Sequence, residues 1–175
     1  MFKEIVFVLV SIGIVSVSWT SFRDLRAHGF WRFFAFESIL LLTLVNIDVW
    51  FNDPLSIRQI ASWLLLLASA ILAVHGFYIL QTGGNPMGGG IESTTSLVTR
   101  GAYRYIRHPL YTTLLLGGGG VYLKDPSFTA AALLLATVIF VVVTAKTEES
   151  ENRKKFGGEY TAYMKKTKMF LPFVY

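Results

Sequence analysis

Residues 110–145 read LYTTLLLGGGGVYLKDPSFTAAALLLATVIFVVVTA, two apolar runs divided by the polar turn Lys124-Asp125-Pro126-Ser127. The second run, Phe128 to Ala145, is long enough to cross a hydrocarbon core of about 30 Å at about 1.5 Å per residue. The first, Leu110 to Leu123, is shorter. Together they predict a helical hairpin whose first arm extends back toward Tyr103, with a kink where Pro109 removes a backbone donor.

Three further apolar runs precede the hairpin: Ile5 to Trp19, Phe33 to Phe51, and Ile60 to Leu80. Trp19 marks an interface, Asp53-Pro54 ends the second run, and Gly83-Gly84-Asn85-Pro86 ends the third. The expected fold is all-α, a polytopic membrane bundle of about five transmembrane helices with a C-terminal hairpin and a cytoplasmic cofactor site. Residues 1–175 read as one integral membrane domain. Residues 1–80 supply three helices, and 81–175 a connector, the hairpin and a cytoplasmic tail. The connector, Gln81 to Arg100, carries Gly83-Gly84 and Gly88-Gly89-Gly90, and glycine runs let backbone approach a ligand closely or serve as a flexible linker.

Composition agrees with this architecture. The chain has 175 residues, 53% of them hydrophobic, and a mean hydropathy of +0.52. A soluble domain would spread charge over every element; here charge is confined to short stretches. The net charge of +5 does not indicate nucleic acid. Lys and Arg gather in Arg23–Arg32, Arg100–Arg107 and Lys146–Lys168, alternating with poor loops, which is a positive-inside pattern. It predicts a multi-pass protein with its N-terminus outside and its C-terminus in the cytoplasm, beside anionic headgroups. The first apolar run lacks a small-x-small cleavage site and is expected to be a membrane helix, not a signal peptide. The absence of cysteine excludes disulfides and thiolate metal sites, and no metal site is expected.

Two polar clusters flank the hairpin, Arg107-His108-Pro109-Leu110-Tyr111 and Glu148-Glu149. Proline holds His108 out of helical geometry, and imidazole can donate or accept a hydrogen bond near neutral pH. Glu148 and Glu149 follow the last apolar residue. If a helix ends there, acids oppose its dipole, and a cationic ligand such as a sulfonium or ammonium would compensate.

Residues Leu97-Val98-Thr99-Arg100-Gly101-Ala102-Tyr103 through Arg107-His108-Pro109-Leu110-Tyr111 resemble the signature of the isoprenylcysteine carboxyl methyltransferase family. The second half also matches: Glu148-Glu149, then Phe156-Gly157, Tyr160, Tyr163 and Phe170-Leu171-Pro172. The resemblance covers about Asn85 to Pro172. Phospholipid N-methyltransferases and some sterol-type reductases share looser versions of the pattern. The resemblance implies a membrane methyltransferase that uses S-adenosylmethionine and releases S-adenosylhomocysteine. It places Thr95, Ser96, Leu97, Val98, Tyr103, His108, Pro109, Leu110, Tyr111 and Glu148 around the cofactor. Leu97, Val98 and Pro109 would sandwich adenine, Glu148 would answer an amino group, and Tyr103 and Tyr111 would favour a sulfonium through their ring faces.

Departures from that family concern the acceptor. Thr144 stands where its members carry an arginine for a substrate carboxylate, Thr113 where they carry glycine, and Lys168-Met169 where they carry a tail arginine. A lipophilic acceptor other than a prenylated carboxylate is therefore expected. Carboxylates need no base; for a thiol or amine, Glu149, His108 and Tyr111 are the catalytic candidates. On the substrate side stand Glu37 and His75, by their depth in the second and third runs, and Lys146, near Thr144 but on another helical face. Asn46 and Asp48 are read as contacts between helices or near the outer surface. Two other functions fit less of the pattern: an NAD(P)H-dependent reductase, with Arg100, Arg104 and Arg107 serving phosphates, and a non-catalytic membrane scaffold.

Overall fold

The computed structural model describes residues 1–85 and 94–172. Pro86 and the Gly88-Gly89-Gly90 part of the connector lie outside the described residues. The described residues form five α-helices: α1 Phe2–Ser18, α2 His28–Asn46, α3 Ile57–Gly83, α4 Pro109–Tyr122 and α5 Phe128–Lys166. Short 3-10 turns follow α1 and α2, and another, Gly101–Arg104, precedes α4. Among the described residues there is no strand; Ile106 and Lys168 form an isolated parallel bridge. Four stretches among the described residues are long and apolar enough to cross a membrane: Phe2–Arg23, His28–Val49, Ile57–Gly83 and Phe128–Lys166.

The fifth expected span, α4, is shorter, with 14 residues. At 1.5 Å per residue it measures about 21 Å, less than a hydrocarbon core. A helix that stops early must satisfy its last carbonyls inside the bundle. Neighbouring helices supply the donors. Ser62 Oγ donates to Gly120 O at 2.7 Å, Asn46 Nδ2 to Val121 O at 2.9 Å, and Gln59 Nε2 to Lys124 O at 3.3 Å. Lys124, fully buried, donates to Gln59 Oε1 at 2.9 Å and sits 3.5 Å from the Trp63 ring centroid. Its charge also suits the C-terminal end of α4.

Two expectations about the hairpin are corrected. The first arm does not run back to Tyr103 through a kink: it begins at Pro109, in the first turn, with His108 as a non-helical N-cap at φ −124°. Proline is favoured there because the first N–H groups of a helix have no partner to lose. The second arm does not end at Ala145. It continues through the charged stretch to Lys166, broken only at Gly157 (φ 57°, ψ −129°). Glu148 and Glu149 therefore stand inside a helix, and the helix-end dipole argument for a cation does not apply to them.

The second apolar run also starts earlier than its hydropathy indicates. Arg32, read as part of a basic loop, lies one turn inside α2 and is only 7% exposed. Helix α2 packs against α5 through Ala35, Val141 and Ala145, with Phe34 stacked on Phe140 at 5.3 Å. Helix α1 is attached to α2 by Ser11 Oγ donating to Glu37 Oε2 at 2.9 Å and by Lys3 to Asp48 at 2.5 Å.

Candidate functional site

One end of the bundle holds a cavity of about 350 Å³. Helix α5 forms its polar wall. Glu148, Glu151, Asn152, Lys155 and Phe156 line it at steps of three and four residues, which is one face of a helix. The break at Gly157 then redirects the chain, so that Tyr160 and Tyr163 line the same cavity. The Tyr163 hydroxyl donates to the carbonyl of Tyr103 at 2.6 Å.

The loop before α4 forms the second wall. Its backbone groups are satisfied by the segment after α5: Arg107 N–H donates to Lys168 O at 2.8 Å, His108 N–H to Met169 O at 3.2 Å, and Lys168 N–H to Tyr105 O at 3.1 Å. The Arg107 side chain fastens the same joint. Its Nε lies 2.6 Å from Glu149 Oε1, and its Nη1 donates to Met164 O at 3.3 Å and to Thr167 O. His108, 4% exposed, stands between two carboxylates, Nδ1 at 3.7 Å from Glu148 Oε2 and Nε2 at 3.4 Å from Glu149 Oε1. Its ring stacks on Tyr111 at 5.4 Å, with 22° between the planes.

The third wall is the end of the connector, where Ser96, Leu97 and Val98 line the cavity. Lys155 Nζ donates to the Thr94 carbonyl, tying this segment to α5. Burial pushes the Tyr103 phenol well above its ordinary range, and the charge of Glu148 adds to the effect. Tyr103 therefore stays a neutral phenol at physiological pH and offers a hydrogen bond or a ring face rather than a base.

Of the residues singled out from the sequence, Ser96, Leu97, Val98, Tyr103, His108, Leu110, Tyr111 and Glu148 line this one cavity. Others stand elsewhere. Thr95 Oγ1 donates to Asn85 O at 2.9 Å, and Pro109 is buried in the first turn of α4. Glu149 faces Arg107 and His108. Glu37 meets Ser11, away from the cavity. His75 Nε2 accepts the Ala102 N–H at 3.3 Å, supporting the turn that carries Tyr103, and Lys146 is exposed on α5. Thr144 is buried and donates to Phe140 O at 2.7 Å. Arg100, Arg104 and Arg107 do not converge: Arg100 donates to Thr82, Arg104 lies over Tyr105, and Arg107 alone of the three lines the cavity, its guanidinium engaged as above.

The model of one family, phospholipid methyltransferase, matches residues 57–159. That span begins with α3, encloses the loop and α4, and takes in the polar face of α5. The chain belongs to the phospholipid methyltransferase family. No curated protein and no solved structure matches it. The match bears out a membrane methyltransferase, takes in the first motif and Glu148-Glu149 but ends before Tyr160, and extends upstream of the motifs to the whole of α3. Three cavity residues precede the matched span: His28, Arg32 and Phe36 of α2. Sequence reasoning missed them, together with Glu151, Asn152 and Lys155. Their signal was the four-residue spacing, legible only once α2 is known to begin at His28 and α5 to continue past Ala145.

Proposed function

We propose that this phospholipid methyltransferase family member is an S-adenosylmethionine-dependent enzyme that methylates a lipophilic acceptor drawn from the bilayer. One observation carries the reading. A single cavity joins the carboxylate of Glu148 and the rings of Tyr103, His108 and Tyr111 to the apolar side chains of Leu97, Val98 and Leu110. Its volume falls in the range of small-ligand sites, about 300–1,000 Å³.

These residues fit the donor's chemistry. Glu148, whose side chain is 30% exposed, answers an ammonium group. Leu97, Val98 and Leu110 offer apolar surface to a base, and the tyrosine rings favour a sulfonium by about 0.5–2 kcal/mol each. When bound, the donor supplies an electrophilic methyl group on a cationic sulfur. The protein's part is alignment. The loop, the connector and α5 are cross-tied by the bonds of Arg107, Lys155 and Tyr163, so the walls are held in place before ligands arrive.

An amine or thiol acceptor must also lose a proton. His108, flanked by Glu148 and Glu149, is the group placed to hold it, at Nδ1 beside Glu148. Glu149 acts through His108 as a positioning residue, since its own carboxylate is engaged by Arg107. The basic loops support a cavity that opens at the cytoplasmic face, with the N-terminus outside. The test is transfer of label from methyl-tritiated S-adenosylmethionine into the organic phase, with purified protein in lipid nanodiscs. Label in lipid that requires His108 and Glu148 supports the reading, and no transfer to any lipid class opposes it.

A further inference from the structure

Helix α4 is the short arm of the hairpin, and its length sets the depth of the joint that precedes it. Counted from the shared turn at 124–127, its 14 residues rise about 21 Å, whereas the apolar run of α5 from Phe128 to Ala145 rises about 27 Å. The loop before α4 therefore lies about 6 Å short of the end of that run, near the boundary between acyl chains and headgroups.

The segment after the break at Gly157 returns to the same depth. The Tyr163 hydroxyl donates to Tyr103 O, and Lys168 bridges Ile106. Tyr160, Tyr163, Met169 and Phe170 point inward and are buried. Other side chains of the joint face outward. Tyr105 is 50% exposed and Leu171 52%, and Arg104, Lys165, Lys166 and Lys168 are exposed with them. The Arg104 guanidinium carbon lies 5.9 Å from the Tyr105 ring centroid. Between 158 and 172 the three lysines face a single acid, Glu159. None of the six outward residues lines the cavity.

These residue types suit that depth. A tyrosine ring with its hydroxyl fits the headgroup level, and leucine gains by leaving water. Lysine and arginine lay their stems along apolar surface and carry their charge outward to the phosphates. Each cation near an anionic surface is worth about fivefold in partition.

We infer that this face, Tyr105 and Leu171 with their four cations, is a docking surface for anionic membrane lipid. The partner is a lipid surface with excess negative charge, at the outer side of the joint and apart from the acceptor. The inference goes beyond the methyltransferase reading and is tested without donor or acceptor.

The chain has no cysteine, so Leu171→Cys carries a single environment-sensitive fluorophore. The labelled full chain is placed in nanodiscs of phosphatidylcholine, or of an equal mixture with phosphatidylglycerol, each doped with a lipid bearing a nitroxide quencher at the headgroup level. Both leaflets are alike, so the orientation of the protein does not enter. Lys154→Cys, about 13 Å beyond Ala145 along α5, reports a position in water. Quenching at position 171 is expected to exceed that at 154, to be stronger in the anionic discs, and to fall to its neutral-disc level in high salt. Replacing Lys165, Lys166 and Lys168 together by Gln should abolish the difference between the discs. Tyr105→Cys repeats the measurement from the other strand of the joint if Leu171→Cys does not fold. Quenching at 171 no greater than at 154, equal in the two discs, or unchanged by the three substitutions overturns the inference.

Discussion

Arg107 Nε lies 2.6 Å from Glu149 Oε1, with side-chain exposures of 10% and 6%, and this pair joins the loop before α4 to α5. Removing one partner of a buried ion pair leaves the other charge uncompensated, at a cost of about 3–5 kcal/mol. Arg107→Ala also abandons the carbonyls of Met164 and Thr167. It is expected to lower the thermal midpoint in detergent more than Glu149→Gln, which retains a hydrogen-bond acceptor. Equal midpoints for Arg107→Ala and wild type would show that the joint does not hold the fold.

Two glycines are required by backbone geometry. Gly101 has φ +59°, and a Cβ there would stand 2.7 Å from His75 Nε2. Gly157 has φ +57° with open space around it. Strain at such positions is on the order of 1–3 kcal/mol. Gly101→Ala, with strain and collision together, should destabilise the protein more than Gly157→Ala, as chemical denaturation in mixed micelles would read. Gly157→Ala acts instead on the direction of the chain toward Tyr160 and Tyr163, so it should weaken ligand binding.

Within α4 the glycines differ in a way that packing alone decides. A Cβ on Gly120 would meet Leu66 Cγ at 2.8 Å and the Ser62 carbonyl at 3.1 Å, whereas one on Gly119 would meet Leu65 at an ordinary 3.7 Å. Gly120→Ala should destabilise by about 1–3 kcal/mol through overpacking. Gly119→Ala should be neutral or stabilising by up to about 1 kcal/mol, from helix propensity. Thermal midpoints of the two variants should move in opposite directions or at least differ by several degrees.

Lys124 tests the other end of the bundle. Burial pushes its amine below the ordinary value of 10.5. A depressed amine means that the cost of burying the charge is fully present below the folded-state value and is relieved as pH rises toward 10.5. Stability of the wild type relative to Lys124→Met should therefore increase over that window. Gln59→Ala, which removes the acceptor at 2.9 Å, should cost about 1–3 kcal/mol. Neither variant should alter donor binding, because the cavity lies at the opposite end of α4.

The turn at Lys124-Asp125-Pro126-Ser127 has local punctuation, so the bend of the hairpin was legible in the sequence, whereas Pro109, read as a kink inside the first arm, is where that arm begins. The extent of α5 was not. Hydropathy falls at Lys146 because the surroundings change, while Lys, Glu and Arg remain good helix formers and the backbone continues. Arg32 was misplaced for the same reason: charge reports cost in lipid, and a helix lining a polar cavity escapes that cost. The contact of Tyr163 with Tyr103 depends on the turn at Gly157 and on chain segments far apart in sequence, which no local pattern encodes. The motif residues around His108 and Glu148 could be named from sequence, but their sharing of one cavity with α2 required the packing of α2 against α5.

The central claim is that the cavity beside Glu148 is a site for S-adenosylmethionine. The most direct measurement is thermal shift of the purified protein with S-adenosylhomocysteine or NADPH, for wild type, Glu148→Ala and Tyr103→Ala. Ligand at a hundredfold excess over Kd contributes about 2.7 kcal/mol. Stabilisation of wild type by S-adenosylhomocysteine but not NADPH, lost in both variants, is the predicted result; a response to NADPH alone, or equal S-adenosylhomocysteine affinity in all three proteins, would contradict it.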